Sequence, residues 1–84
     1  MAGDACLMAI EERISSAHER YGPFASTHEA MGVALEEWIE FVDAVRSNKL
    51  GSVEWECLDL AAVLLRLART IRENDKPFAK RSGK

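Results

Sequence analysis

Residues 36–59 read EEWIEFVDAVRSNKLGSVEWECLD, and the fold turns on how that stretch divides. Its middle, Ser47-Asn48-Lys49-Leu50-Gly51-Ser52, is turn chemistry, and Ser52 is placed to cap whatever follows. Upstream, Ala30, Met31, Ala34, Leu35, Trp38, Phe41, Val42 and Val45 recur at three- and four-residue steps, one broad face of a helix over about 27–46. Downstream, Val53, Leu60, Leu64, Leu67 and Ile71 repeat the pattern over about 53–74, widened by Cys57, Ala61 and Ala68. So short a connection makes the two helices antiparallel neighbours.

Outward from this pair the signals stay helical. Leu7, Ile10, Ile14, Ala17 and Tyr21 form the stripe of a first helix over about 4–21, with Asp4 as its expected N-cap and Gly22-Pro23 as its stop. A short loop leads to Ser26-Thr27-His28-Glu29, a capping box in which Glu29 is expected to reach back to the Ser26 amide. Residues 75–84 show no periodicity and are expected to be mobile. The third helix also carries Leu58, Val63 and Leu65 off its main stripe, so it is apolar over much of its circumference. The sequence therefore predicts a single all-α domain over residues 1–84. It is a three-helix protomer with a central antiparallel hairpin, completed as an oligomeric bundle by further copies in a dimer or tetramer.

Composition excludes several classes. The chain has 84 residues, 48% of them hydrophobic and 30% charged, a globular balance with room for one domain. No run approaches the ~20 apolar residues of a membrane span. No basic segment precedes an apolar one at the start, so a cytoplasmic location is expected. Cys6 and Cys57 form neither a disulfide framework nor a zinc motif. The net charge of −3 is unevenly spread: residues 1–65 hold twelve acids and four bases, whereas residues 66–84 hold seven bases and two acids. An acidic body repels a phosphate backbone, and no aromatic residues interleave with the basic end as a stacking platform. Nucleic acid is not an expected partner.

The acids themselves carry the functional signal. Residues three or four apart on a helix share a face, so Glu37 with Glu40, Glu36 with Glu40, and Glu56 with Asp59 can each aim at one point. A hairpin centred near residues 49 and 50 sets Glu40 level with Asp59, with Glu37 and Glu56 within about one turn. Solvated acidic faces usually carry basic partners at the next turn. Here the neighbouring positions are Gly32, Val33, Phe41, Ala44, Leu60 and Val63. Carboxylates ringed by apolar residues repel one another and call for a cation, and oxygen-only ligands favour Mg²⁺ or Mn²⁺.

Glu36-Glu37-x-x-Glu40, fifteen intervening residues, then Glu56-x-x-Asp59 resembles the EExxE…ExxD signature of the MazG-like nucleotide pyrophosphohydrolases. Tyr21-Gly22-Pro23-Phe24-Ala25-Ser26-Thr27-His28-Glu29 is similar to the entry loop of their short phage- and cassette-type members. The resemblance covers about residues 13–72. It implies an all-α fold and hydrolysis of a nucleoside triphosphate between the α- and β-phosphates, yielding a monophosphate and pyrophosphate. It also implies Glu37, Glu40, Glu56 and Asp59 as Mg²⁺ ligands, and Glu36 as the acid that orients a second ion or the attacking water. The basic segment of longer members has only a loose counterpart in Asn74-Asp75-Lys76-Pro77-Phe78, so the phosphate-binding bases must be sought elsewhere. Arg66, seven residues beyond Asp59 and on its face, is the first candidate, followed by Lys49, Arg69 and Lys76.

Other residues weigh less. His28 in the capping turn is a candidate substrate contact. Trp38 and Cys57 fall on apolar stripes and are expected in the core. Trp55 lies off the main stripe, where it can line a pocket or an interface, and Tyr21 and Phe24 flank the entry loop. Two further function classes stand beside the hydrolase. One is a catalytically silent helical interaction module using the surplus apolar surface. The other, a carboxylate-bridged di-iron bundle, needs a Glu-x-x-His on two helices that neither later helix supplies.

Overall fold

The computed structural model describes residues 2–73, and among these every regular element is helical, with no strand. Helix α1 spans Ala2–Tyr21, α2 Thr27–Ser47 and α3 Leu50–Glu73. The expected mobile tail at 75–84 lies outside the described residues.

Each boundary has a local cause. Gly22 adopts φ 71° and donates its N–H to the His18 carbonyl at 2.9 Å, closing α1 with a left-handed residue that glycine tolerates without strain. The Ser26 hydroxyl accepts the Glu29 N–H at 3.1 Å, as the capping box predicts. Glu29, however, reaches one residue further back than expected: its carboxylate accepts the Ala25 N–H at 2.6 Å rather than that of Ser26. At the other end of α2, Asn48 takes φ 61° and its N–H bonds the Val45 carbonyl at 3.0 Å.

Two boundaries correct the sequence reading. Because Asn48 turns the chain in a single left-handed step, α3 starts at Leu50, and the Lys49 carbonyl already accepts the Val53 N–H at 2.9 Å. Ser52 therefore lies inside the helix and caps nothing. Asp4 likewise sits in the first turn of α1, where its charge favours the positive end of the helix dipole.

Helix α2 packs along α3 across the two-residue link, and α1 packs on α3. The α2 seam is made of small residues: Ala30 (1% exposed) and Ala44 are buried, with Glu37 midway between them. Steps of seven residues are about two turns, so Ala30, Glu37 and Ala44 line one stripe. The broad apolar face expected on α2 is thus split. Its large members Met31, Leu35, Trp38 and Val45 stand about half exposed, one residue round from the seam. Trp38 is not a core residue here, although its ring lies 5.3 Å from that of Phe41. Cys57 is also exposed, as are Leu64 on α3 and Leu7 on α1. The remaining core is Ile14 of α1, Phe24 of the loop and Ala62 of α3, with Arg66 and Thr70 buried beside them. Three helices of one chain leave too few neighbours to cover every apolar sector.

Candidate metal centre

The acids of α2 and α3 meet where the two helices pack. One carboxylate oxygen each from Glu37, Glu56 and Asp59 lie within 4.8 Å of one another, and all three residues are half-buried. Glu37 points inward because it occupies the seam between Ala30 and Ala44. Glu56 and Asp59 are three apart on α3 and so share a face. Glu37 Oε1 and Glu56 Oε1 are buried and accept no hydrogen bond from the protein. Buried oxygens without donors are uncommon and costly, and they are the part of this site that most needs a ligand.

The electrostatics follow from that crowding. Burial pushes the Glu37 carboxyl up to about 7, helped by the charges of Glu40, Asp59, Glu56 and Glu36. Burial also raises Glu56, with Glu40 and Asp59 adding to the effect and Arg13 opposing it. Five acids therefore act on one point. Glu40 is exposed and borders a shallow cleft with Glu56, Asp43 and Lys49 near the α2–α3 link. Glu36, also exposed, borders another cleft with Glu37, Phe24 and Arg66. Of the four expected ligands, Glu37, Glu56 and Asp59 come together, whereas Glu40 is outside that group, exposed at the neighbouring cleft, as Glu36 is at the other.

The bases are placed less as expected. Arg66 does line the clefts beside Glu37, but it is 6% exposed and already engaged. Its Nη2 donates to the Gly22 carbonyl at 2.7 Å and its guanidinium lies 3.9 Å from the Phe24 ring centre. Burial lowers its pKa, and its Nε has no partner. Arg66 thus braces the entry loop, with Nε as its spare donor. Arg69 turns away to α1 and grips both oxygens of Glu11 at 2.7 and 2.6 Å. His28 is exposed in the first turn of α2, nine residues before Glu37 and so about 13 Å along the axis. Lys76 lies outside the described residues.

One residue went unnoticed in the sequence. Arg13 of α1 places Nε 2.7 Å from Asp59 Oδ1 and stacks over Trp55 at 4.5 Å from the ring centre. A signal existed: Arg13 follows Ile10 by three residues and precedes Ala17 by four, a charged group flanking the apolar stripe of its helix. With Arg20, Trp55, Glu37, Asp59 and Arg66 it lines a cleft of about 410 Å³ between α1 and the other two helices.

Compared with known proteins, the chain matches no family profile, no curated protein and no solved structure. No helix among the described residues is long and apolar enough to cross a membrane.

Proposed function

We propose that the protein is a Mg²⁺-dependent nucleoside triphosphate pyrophosphohydrolase of the MazG-like kind, with Mn²⁺ as a substitute ion. On this reading it converts a (d)NTP and water to the monophosphate and pyrophosphate, a house-cleaning activity on nucleotide pools. The observation that carries the reading is the set of three carboxylate oxygens within 4.8 Å, two of them from residues with a buried, unpartnered Oε1. An all-oxygen, strongly anionic donor set suits a hard divalent ion. Glu37, Glu56 and Asp59 would hold it, with Glu40 completing the set beside Glu56. Such an ion neutralises phosphate charge and lowers the pKa of water.

The chain's own residues supply the rest. Glu36, exposed at the cleft edge next to Glu37, is available to take the proton of the attacking water at its carboxylate. Arg66 holds the entry loop against the cleft through Gly22 and Phe24. Lys49 borders the opposite cleft with Glu40 and Glu56 and is the candidate base for a substrate phosphate on that side.

We read α2 and α3 as an antiparallel hairpin whose outward apolar side is covered by further copies of the chain. Met31, Leu35, Trp38, Ile39, Val45 and Leu64 are each about half exposed or more. Together they leave on the order of 600 Å² of apolar surface, near the ~800 Å² each partner contributes to an ordinary interface. The same stripe favours the second reading, a catalytically silent interaction module.

Pyrophosphate release from a panel of canonical and modified (d)NTPs, with Mg²⁺ and with EDTA, separates the two. Release that EDTA abolishes supports the hydrolase. No release from any substrate, with the fold intact and insensitive to Mg²⁺, supports the module.

A further inference from the structure

Five acids surround the point where α2 meets α3, and Arg13 is the base that hydrogen bonding among the described residues brings to them. Its Nε engages Asp59 Oδ1 at 2.7 Å, its Nη1 donates to the Ala9 carbonyl at 3.2 Å and its face lies on Trp55. A single guanidinium does not balance the cluster: it engages Asp59, while Glu37 Oε1 and Glu56 Oε1 stay buried without a hydrogen-bond partner. Asp59 is therefore shared between two claims, that of Arg13 and that of a cation bound with Glu37 and Glu56.

We propose that Arg13 is an exchangeable counter-ion of this centre: a divalent ion competes with it for the Asp59 carboxylate, and the displaced guanidinium becomes a ligand for the substrate's phosphates. The inference rests on the hydrolase reading and assigns a substrate-binding role to a residue of α1. Three features of the site support it. Arg13 keeps two other contacts, the Ala9 carbonyl and the Trp55 ring, so losing Asp59 leaves it at the cleft wall and not adrift in solvent. Its side chain is 19% exposed and faces the open cleft, the space into which a released guanidinium would turn. Arg20, seven residues on and two turns along the same face, lines the same cleft, as does Arg66. Arg13 and Arg20 beside a carboxylate centre, with the Arg66 Nε as a further donor, form a wall complementary to a triphosphate held through a metal ion.

The test separates ion from phosphate. Mn²⁺ affinity is measured without nucleotide for the wild type, Arg13→Gln and Arg13→Lys, and tripolyphosphate affinity is then measured at saturating Mn²⁺. Removing the competitor should tighten Mn²⁺ binding in Arg13→Gln by about 1.5- to fivefold, the range of a part-exposed ion pair. The same variant should bind tripolyphosphate at least about threefold more weakly, as loss of one charge-assisted contact requires. Arg13→Lys keeps the charge without the fork and should fall between the two in both measurements. A merely structural arginine would move Mn²⁺ affinity downward or not at all when lost. Unchanged or weaker Mn²⁺ binding in both variants, or unchanged tripolyphosphate binding in Arg13→Gln, overturns the inference while the hydrolase reading stands. Failure of the wild-type chain to bind Mn²⁺ overturns both.

Discussion

Glu37→Gln should make the metal-free protein more stable at alkaline pH while removing the stabilisation that Mg²⁺ confers. In the unfolded chain this glutamate titrates near its ordinary 4.5, and in the folded chain at about 7. Below the lower value both states hold the proton and Glu37 has no effect on stability. Between the two values the unfolded chain has lost its proton and the folded chain keeps it, so rising pH favours unfolding. Above the upper value both are ionised and the penalty is complete. The interval corresponds to about 3 kcal/mol, or about 2 kcal/mol after discounting for solvent at a half-buried carboxylate. For a chain of this size that is a fall of about 8–15 °C in Tm between about pH 5 and about pH 8. Glu56 is raised too and adds slope of the same sign, while Glu11, lowered by Arg69, acts only at more acidic pH. Thermal melts followed by circular dichroism in EDTA, at fixed protein concentration, read this directly. The glutamine variant should melt above the wild type at alkaline pH, and added Mg²⁺ should reverse the order. A wild-type Tm that is level across the range, or a glutamine variant less stable at alkaline pH, would refute the placement of Glu37 as a carboxylate held against its own charge.

Asp59→Asn and Glu40→Gln should each abolish metal-dependent pyrophosphate release with helicity retained, and activity surviving in both would exclude this carboxylate cluster as the active site. Arg66→Met should lower stability by about 1–3 kcal/mol in urea unfolding, because it leaves the Gly22 carbonyl without its charged donor and unstacks Phe24. Leu35→Glu and Trp38→Glu place charge on the exposed α2 stripe, and sedimentation velocity should show smaller species than the wild type at the same concentration. An unchanged sedimentation profile would count against self-association through that face.

The helices were legible because their causes are local. The Ser26 cap, the Gly22 stop and the three- and four-residue apolar steps act within one or two turns, and the structure follows them. The acid cluster was legible for a related reason: i, i+3 spacing fixes which carboxylates share a face, and the short link brings the two faces together. What escaped were facts that depend on a third element. Nothing within α2 says which of two adjacent stripes meets α3, the alanine–glutamate stripe or the one bearing Met31, Trp38 and Val45. Hydrophobicity favours the second, whereas close approach of two backbones favours the first, and the small side chains won. Arg66 pointed at the cluster by periodicity, but its partners come from the loop, forty-four residues away. Arg13 reached Asp59 across forty-six residues, a pairing that a scan within one helix cannot see.

The two departures from a self-contained helical trio are linked through stability. Glu37 occupies a seam position where an apolar residue would pack better, and breaking such burial without a partner charge is costly. The large apolar side chains that would have filled that seam sit one position round and remain exposed. A chain of 84 residues has little stability in reserve. A divalent ion at the inner face and a second copy on the outer one would each bind only the folded chain, and each would raise the folded population by mass action. Where a measurable fraction is unfolded, they assist one another with no contact between them, since whichever binds first bears the cost of folding for the other. Metal affinity and self-association are then two readings of a single folding equilibrium. On that reading the site is charged and the outer face uncovered for the same reason: the chain would leave part of its stabilisation to what it binds.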